Sequence, residues 1–339
     1  MTDQAHQAKQ ATESLRDTIS TIRPLSTLSR DGLMLIALEH GRLQLPAYVT
    51  FAEASVGGLV EVRELSGGDA VGAVEAVTRD RPVVIFAGDT IVGGKQNRIV
   101  NISIWLPPKS VTPIPVTCLE HGRWDSGRVF AAGRMADYAL RAMVNRTVAD
   151  HSAAQPVGSG DTPRGRAFAF AADQGGIWDE ISAREGRIGR RSPTAALHDV
   201  YEQDAAAASD FIRAFPCPTG TTGVAVGVGG RVVAMEFFDT SETLALQWPR
   251  IVESAVSAHL DHQRSVETGA AKPPLNRYPD DGALGRMIAR ALRSVGDATV
   301  RPSIGDGTDV RLQGPRVAGA ALLHDQRAVH VELFRVERS

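Results

Sequence analysis

Apolar and polar positions along the first third of the chain follow a two-residue period. Leu59-Val60-Glu61-Val62-Arg63-Glu64-Leu65 sets valines between charged residues, the signature of a half-buried strand. Upstream, the run from Leu33 to Leu38 (LMLIAL) predicts a strand, and Leu43-Gln44-Leu45 and Ala47-Tyr48-Val49 continue the β character. Pro82 to Phe86 is a short apolar run closed by Gly88-Asp89, which predicts a buried strand ending in a turn. Ile99 to Trp105 alternates again. Thr112 to Cys118 carries Pro113 and Pro115, so it predicts an edge strand. Residues 1 to about 20 are polar and predict a frayed or weakly helical lead-in.

Beyond residue 130 the period lengthens. Met135, Leu140, Met143 and Val144 fall near helical spacing among Arg134, Arg141 and Arg146, which predicts an amphipathic helix to Val148. Residues 151–165 are rich in Ser, Gly and Pro and predict a loop or linker. Gln174 to Glu185 predicts a helix, with Asp173 near its N-cap. Ser192 as N-cap and Pro193 at the first helical position predict another helix start, running past Tyr201 toward Phe211 and stopped by Pro216 and Pro218. Pro249 predicts a further helix opening, with Val252, Ala255, Val256 and His259 on one face and His259 at its boundary.

The strongest local signal lies between these helices. Gly223 to Phe238 (GVAVGVGGRVVAMEFF) predicts a β-hairpin turning on Gly229-Gly230. Gly319 to Phe334 (GAALLHDQRAVHVELF) repeats it. Gly223 and Gly319, Ala225 and Ala321, Arg231 and Arg327, Val233 and Val329, Glu236 and Glu332, Phe238 and Phe334 occupy identical offsets. Each copy follows a helix-rich stretch, the second being Leu284 to Val295. Period-2 patterning alone matches apolar to apolar, but the repeated Arg and Glu ask for more, and an ion pair across the hairpin is one use for them.

The predicted fold class is therefore α+β: a β-rich N-terminal part followed by a duplicated α-β-β unit. The pattern divides the chain into a lead-in at 1–25, a β-rich part at 26–130, an α+β part with the first unit at 131–270, and the second unit at 271–339. These are expected to form one body over about 40–335, with 151–165 as a surface excursion.

Composition narrows the classes of function. The chain has 339 residues, and 43% are apolar, enough for a sizeable core. Aromatics make up only 5%, so that core rests on Ala, Val, Ile and Leu. A net charge of -2 without a basic run argues against nucleic acid and anionic membranes as partners. No stretch reaches membrane-spanning length and no signal peptide is visible. Two cysteines, Cys118 and Cys217, make neither a disulfide framework nor a metal cluster; both read as buried free thiols, consistent with a cytoplasmic protein. A homo-oligomer is left open.

The candidate chemistry concentrates between Gly88 and Trp124. Gly93-Gly94-Lys95-Gln96-Asn97-Arg98 sets two glycines and four hydrogen-bonding side chains between apolar segments. Lys95 and Arg98 suit a diphosphate, the Gly93 and Gly94 amides suit an anion nest, and Gln96 and Asn97 add donors and acceptors. The alternative is a solvated turn. The segment is not a P-loop, because no Ser or Thr follows the lysine. Glu120, Arg123 and Trp124 form a second cluster: Arg123 suits a phosphate or carboxylate, Trp124 a base, and Glu120 general acid–base work. Its alternative is a core tryptophan and a Glu120–Arg123 pair. Asp173, Gln174, Trp178 and Ser192 form a third, with helix capping as the competing explanation. Nucleophilic and metal chemistry lack support, since there is no G-x-S-x-G elbow and His259 and His262 stand without an H-E-x-x-H pattern.

Several blocks in order resemble the ARPP-1 family, associated with ADP-ribosylglycohydrolases and rhodanese–phosphatase-superfamily proteins. They are Gly93 to Arg98, Ile114 to Cys118 with Glu120 to Trp124, Asp173-Gln174-Gly175 with Trp178, Ser192-Pro193-Thr194 with Tyr201, and Gly229-Gly230 leading to Phe238-Asp239. The acidic cluster usual before the KQNR block is reduced here to Asp89 within Ala87-Gly88-Asp89-Thr90, and Thr221 and Thr222 stand where a Gln is often found. The resemblance implies work near NAD or ADP-ribose metabolism. It gives two readings: recognition, with or without hydrolysis, of an ADP-ribose-like or NAD-derived nucleotide, or a non-catalytic sensor or scaffold. In the first, Glu120 is the acid/base residue and Gly93, Gly94, Lys95, Gln96, Asn97, Arg98, Arg123 and Trp124 bind the ligand. The cofactor is left open, as is any need for a divalent cation.

Overall fold

A computed structural model describes every residue except 1, 41–46, 66–71, 123–128, 155–162, 190–191, 195, 275 and 337–339. The chain begins with α1 (Thr2–Ser20), β1 (Arg23–Arg30) and β2 (Leu33–Glu39). It continues through β3 (Val49–Thr50), α2 (Phe51–Val56), β4 (Val60–Glu64), β5 (Ala73–Thr78), β6 (Val83–Ile85), β7 (Asp89–Val92), β8 (Arg98–Val100), β9 (Ile104–Leu106), β10 (Val111–Cys118) and β11 (Ala131–Met135). Four helices follow: α3 (Tyr138–Ala154), α4 (Pro163–Phe168), α5 (Gln174–Ile188) and α6 (Leu197–Ala214). The hairpin β12 (Gly223–Val228) and β13 (Arg231–Phe238) leads into α7 (Ser241–Glu267). Last come α8 (Ala283–Ser294), β14 (Thr299–Pro302), β15 (Thr308–Gly314), β16 (Val317–His324) and β17 (Arg327–Arg335). The fold is α+β.

The largest sheet has eight strands in the order β1-β2-β12-β13-β17-β16-β15-β14, all antiparallel. That order reads the same from both ends. Four strands and a preceding helix (α1 with β1, β2, β12, β13) mirror four strands and a preceding helix (α8 with β14, β15, β16, β17). The hairpin repeat visible in the sequence is the second half of this larger unit. Everything from 40 to 222 is inserted between β2 and β12 of the first copy. Register irregularities fall at matching places, Val226/Gly227 in one hairpin and Leu322/Leu323 in the other. The turns match too. Gly229 and Gly230 have φ of 56° and 72°, and Asp325 and Gln326 have φ of 48° and 60°. Both are the left-handed turns that suit the twist of a hairpin.

The central pair β13–β17 sets Glu236 opposite Glu332. Neither is exposed beyond 2%. Arg141 of α3 donates to both, through Nη1 and Nη2 to Glu236 (3.0 and 2.6 Å) and through Nη2 to Glu332 (2.9 Å). Tyr138 Oη donates to Glu236 (2.9 Å) and Asn145 Nδ2 to Glu332 (3.0 Å). Ser103 Oγ accepts from Ala87 N (2.9 Å) and shares a hydrogen bond with His330 Nδ1 (2.8 Å), and His330 Nε2 donates to the Glu236 carboxylate (2.9 Å). The expected ion pair across each hairpin is therefore corrected. Arg231 and Arg327 sit at exposed strand starts, and the glutamates take their cation from a helix in the insertion. Burial pushes Glu236 up, but Arg141 and His330 outweigh it and hold the carboxyl well below the usual range.

The insertion carries a six-stranded sheet, β11-β7-β8-β10-β5-β4, and a small one, β3-β6-β9. Two expectations change here. Ile99 to Trp105 is not one strand: β8 ends at Val100 in one sheet and β9 begins at Ile104 in another, and Ile102 between them is buried. β10 is not an edge strand. Its first half, Val111 to Pro115, pairs with β5, and its last three residues pair with β8. Pro113 and Pro115 thus face only one paired neighbour, which is how an interior strand tolerates them.

Helix ends differ from expectation as well. The lead-in is a regular helix, because Ala11, Leu15 and Ile19 recur every four residues and are fully buried. The α3 helix starts at Tyr138, since Met135 still pairs in β11. Leu197 opens α6 behind Ala196, which makes no side-chain cap, so Ser192 is not its N-cap. The α7 helix starts at Ser241, with Thr240 Oγ1 accepting from Thr243 N (3.1 Å), and holds Pro249 in its interior. His259 is buried, not a boundary residue. Cys118 is buried, Cys217 is partly exposed, and both are free thiols. The strand expected at 43–45 lies outside the described residues, as do residues 155–162 of the expected loop at 151–165; the described ends of that stretch are helical, 151–154 closing α3 and 163–165 opening α4.

Candidate functional site

Four of the five polar blocks converge at one end of the six-stranded sheet. The turn between β7 and β8 carries Gly93 to Arg98. Gln96 Nε2 donates to the Glu120 carbonyl (2.8 Å), and Asn97 N donates to Glu120 Oε2 (3.3 Å). Leu119 N donates to the Asn97 carbonyl (2.9 Å). The turn and the segment after β10 are thus laced side by side.

Gln174, at the start of α5, reaches the same point. Its Oε1 accepts from Cys118 N (2.7 Å) and its Nε2 donates to the Cys118 carbonyl (2.9 Å), so one amide satisfies both backbone groups of a residue 56 positions away. Asp173 caps α5, accepting from Gly176 N (3.1 Å). The segment 192–196 closes the cluster. Gly122 N donates to the Thr194 carbonyl (2.8 Å), Leu197 N to the Leu119 carbonyl (3.1 Å), and Glu120 bridges to Ala196. Ser192 Oγ donates to Asp199 Oδ2 (2.5 Å) and accepts from Thr194 N and Ala196 N (3.2 and 3.1 Å). His121 is exposed and meets half-buried Trp178 edge to face at 4.4 Å. The fifth block, Gly229 to Asp239, belongs to the β12–β13 hairpin.

Within this cluster the candidate residues separate by environment. Arg98 is fully buried. Its Nη1 donates to Cys118 Sγ and to Gln96 Oε1 (3.3 Å), and its Nη2 lies 3.6 Å from Glu64 Oε2. Burial pushes the Cys118 thiol up, and the Arg98 guanidinium only partly offsets this. Gly93 N donates to Asn97 Oδ1 (3.0 Å), and Lys95 N to Glu64 Oε1 (3.0 Å). A Cβ on Gly94, at φ 50°, would collide with the Phe130 ring, so that glycine admits a neighbour from its own chain. Lys95 and Asn97 are half-buried; Gln96 and Glu120 are buried. Arg123 and Trp124 lie outside the described residues. Sequence reasoning weighed Gln174, with Asp173, Trp178 and Ser192, as a third cluster against a helix start, and left Glu64 out of the site; nothing local in a charged strand such as β4 marks its last residue as a partner of Lys95 and Arg98.

Among the described residues no group of three His, Cys, Asp or Glu side chains is placed to hold a metal ion, and no helix is long and apolar enough to cross a membrane.

The fold and this cluster define an α+β protein with an internally duplicated sheet and an inserted second layer whose polar loops meet at one end. Residues 21–334 match the family model described as ARG and Rhodanese-Phosphatase-superfamily-associated Protein domain. The chain belongs to that family, ARPP-1. Neither the curated proteins nor the solved structures contain a match to it.

Proposed function

We propose that this protein recognises an ADP-ribose-like or NAD-derived nucleotide at the loop cluster around Glu120. The observation that carries the reading is the Gln96–Glu120 hydrogen bond of 2.8 Å, which sets the lysine-bearing turn against the glutamate-bearing segment. The family's description, which links it to ADP-ribosylglycohydrolases, supports the same ligand class. Half-buried Lys95 and Asn97 would meet the ligand, with Arg123 and Trp124 as further contacts. Arg98 and Gln96 act as positioning residues, since their polar groups hold Cys118, Glu64 and Glu120. Gly93 and Gly94 shape the turn. In a hydrolytic version Glu120 takes the proton of the attacking water.

A non-catalytic sensor or scaffold is the second reading. It is favoured by the internal use of Gly93 N and Lys95 N, which bond to Asn97 and Glu64.

Thermal shift against NAD, ADP-ribose, AMP and inorganic phosphate tests the first reading, because a ligand of the folded state raises Tm by mass action. A shift from a nucleotide that Lys95→Ala abolishes is expected. No shift from any of the four defeats the proposal. Turnover of the hit that is lost in Glu120→Gln with binding retained would favour the enzyme; a bound but unconverted ligand favours the sensor.

A further inference from the structure

The core side of α5 is set by Ile177, Ile181 and Arg184, all buried. Trp178 follows Ile177, so it stands about 100° further round the helix, where it is only half-buried. Long side chains on a helix lean toward its N-terminus and cover the turn before their own Cα. For Trp178 that turn carries Gly175. Gly175 is exposed, and a Cβ placed on it would meet only Asp173 Oδ1, at 3.5 Å. The helix therefore puts no side chain over this side of the indole.

Nor is the indole tied down as a core tryptophan is. Buried Trp248 donates its Nε1–H to the Phe215 carbonyl (2.7 Å), the usual arrangement for a buried indole. Trp178 Nε1 has no acceptor among the described residues. Exposed His121 stands against Trp178 at 4.4 Å with the ring planes 67° apart, so the two rings make an aromatic corner. Glu120, the neighbour of His121, takes the Asn97 N–H (3.3 Å). Contacts thus run from the Lys95 turn through Asn97 and Glu120 to the corner. Phosphate, ribose and base follow one another in the same order in a nucleotide. We propose that Trp178, with His121 beside it, is the base platform of this site, and that the ligand is an adenine nucleotide with its ring laid on the indole, its ribose at Glu120 and its phosphate at Lys95. The inference rests on the nucleotide reading above and adds that the base, not only the anionic part, supplies affinity. An aromatic face attracts any planar base, and a purine offers it a large area.

Calorimetric titration of the full chain with AMP, and with ribose 5-phosphate, which lacks the base, tests the platform. The unmodified protein binds AMP about tenfold more tightly or better, the worth of one stacked base. Trp178→Leu removes that preference and leaves ribose 5-phosphate binding unchanged, whereas Trp178→Phe, which keeps a ring, retains most of it. His121→Ala, a change at an exposed residue, lowers the preference in a folded protein even where Trp178→Leu does not fold. Equal binding of the two ligands, or a preference for AMP that neither Trp178→Leu nor His121→Ala lowers, overturns the platform; the nucleotide reading then still stands if AMP binding is lost in Lys95→Ala. A preference removed by Trp124→Leu instead moves the base to that residue and overturns the proposal equally. Binding of neither ligand defeats the nucleotide reading and the platform with it.

Discussion

Glu236 and Glu332 face each other across the middle of the eight-stranded sheet, and one arginine from an inserted helix satisfies both. The two carboxylates occupy equivalent positions in the duplicated unit, so the pseudo-two-fold that relates the copies brings like charges together on its axis. Without Arg141 that arrangement is unstable. The insertion is thereby anchored to the sheet it interrupts.

Arg141→Met should destabilise the protein by about 3–5 kcal/mol, the cost of leaving buried charges unpaired. Urea denaturation measures it. Arg141→Lys should recover only part, because an ammonium cannot reproduce the two-pronged contact. A loss below about 1 kcal/mol in Arg141→Met would show that the glutamates find other partners or protonate without strain.

Acidification should weaken the fold through His259. Burial first, and the neighbouring His262 second, hold its pKa below the usual imidazole value. The folded state thus binds fewer protons than the unfolded one. Stability from this group is present above the unfolded value of about 6.5 and falls as pH drops through it. The charged groups around the ring are His262 on its own helix, Asp31 of the β1–β2 turn and Arg277, with Arg231 of β13 beside His262. His259→Leu should flatten the change in urea midpoint between pH 7.5 and 5.5; an unchanged slope would assign it to other groups.

Thiol labelling should separate the two cysteines. Burial raises the pKa of both thiols, but Cys118 is buried while Cys217 is partly exposed, so accessibility separates them. A thiol reagent at neutral pH should modify Cys217 in the native protein and Cys118 only on unfolding. Fast labelling of Cys118 would mean that the loop cluster opens in solution.

The turn of the second hairpin should be improvable. Asp325 and Gln326 hold positive φ without being glycine, where the first hairpin has Gly229-Gly230. Gln326→Gly should stabilise the protein by about 0.5–1 kcal/mol, less what the glycine costs in the unfolded chain. Thermal unfolding reads it out. Destabilisation would mean that the Gln326 side chain contributes to the fold.

Truncating Gln174 should loosen the loop cluster. Gln174→Ala leaves both Cys118 backbone groups without their partner and should cost about 1–3 kcal/mol. Hydrogen exchange should show the loss first at Cys118 and Leu119, and protection unchanged there would disprove the clamp.

How legible these features were depends on what each residue buries. The Gly229-Gly230 hairpin was readable because its turn and alternation are local. The family blocks were readable as a set, and four of them meet in space, with Gln96 on Glu120 and Gln174 on Cys118. β1 went unread because RPLSTLSR is exposed and therefore has no apolar period to display. α1 was underestimated because its stripe of Ala11, Leu15 and Ile19 is thin among polar residues and becomes decisive only against the sheet and α8. Arg98 looked like a free cation in a glycine turn; its partners Cys118 and Glu64 come from other strands.

By itself the amino-acid order determined the α+β class and the two hairpins, because turn chemistry and hydrophobic period act over a few neighbouring residues. Tertiary structure decided that β1 and β2 join the C-terminal hairpins across an insertion of more than 180 residues, that two repeated glutamates share one arginine, and that most of the candidate donors turn inward. Backbone hydrogen bonds are alike for any pair of strands, so the choice of neighbour follows from which faces can be buried together, and that is a property of the whole chain.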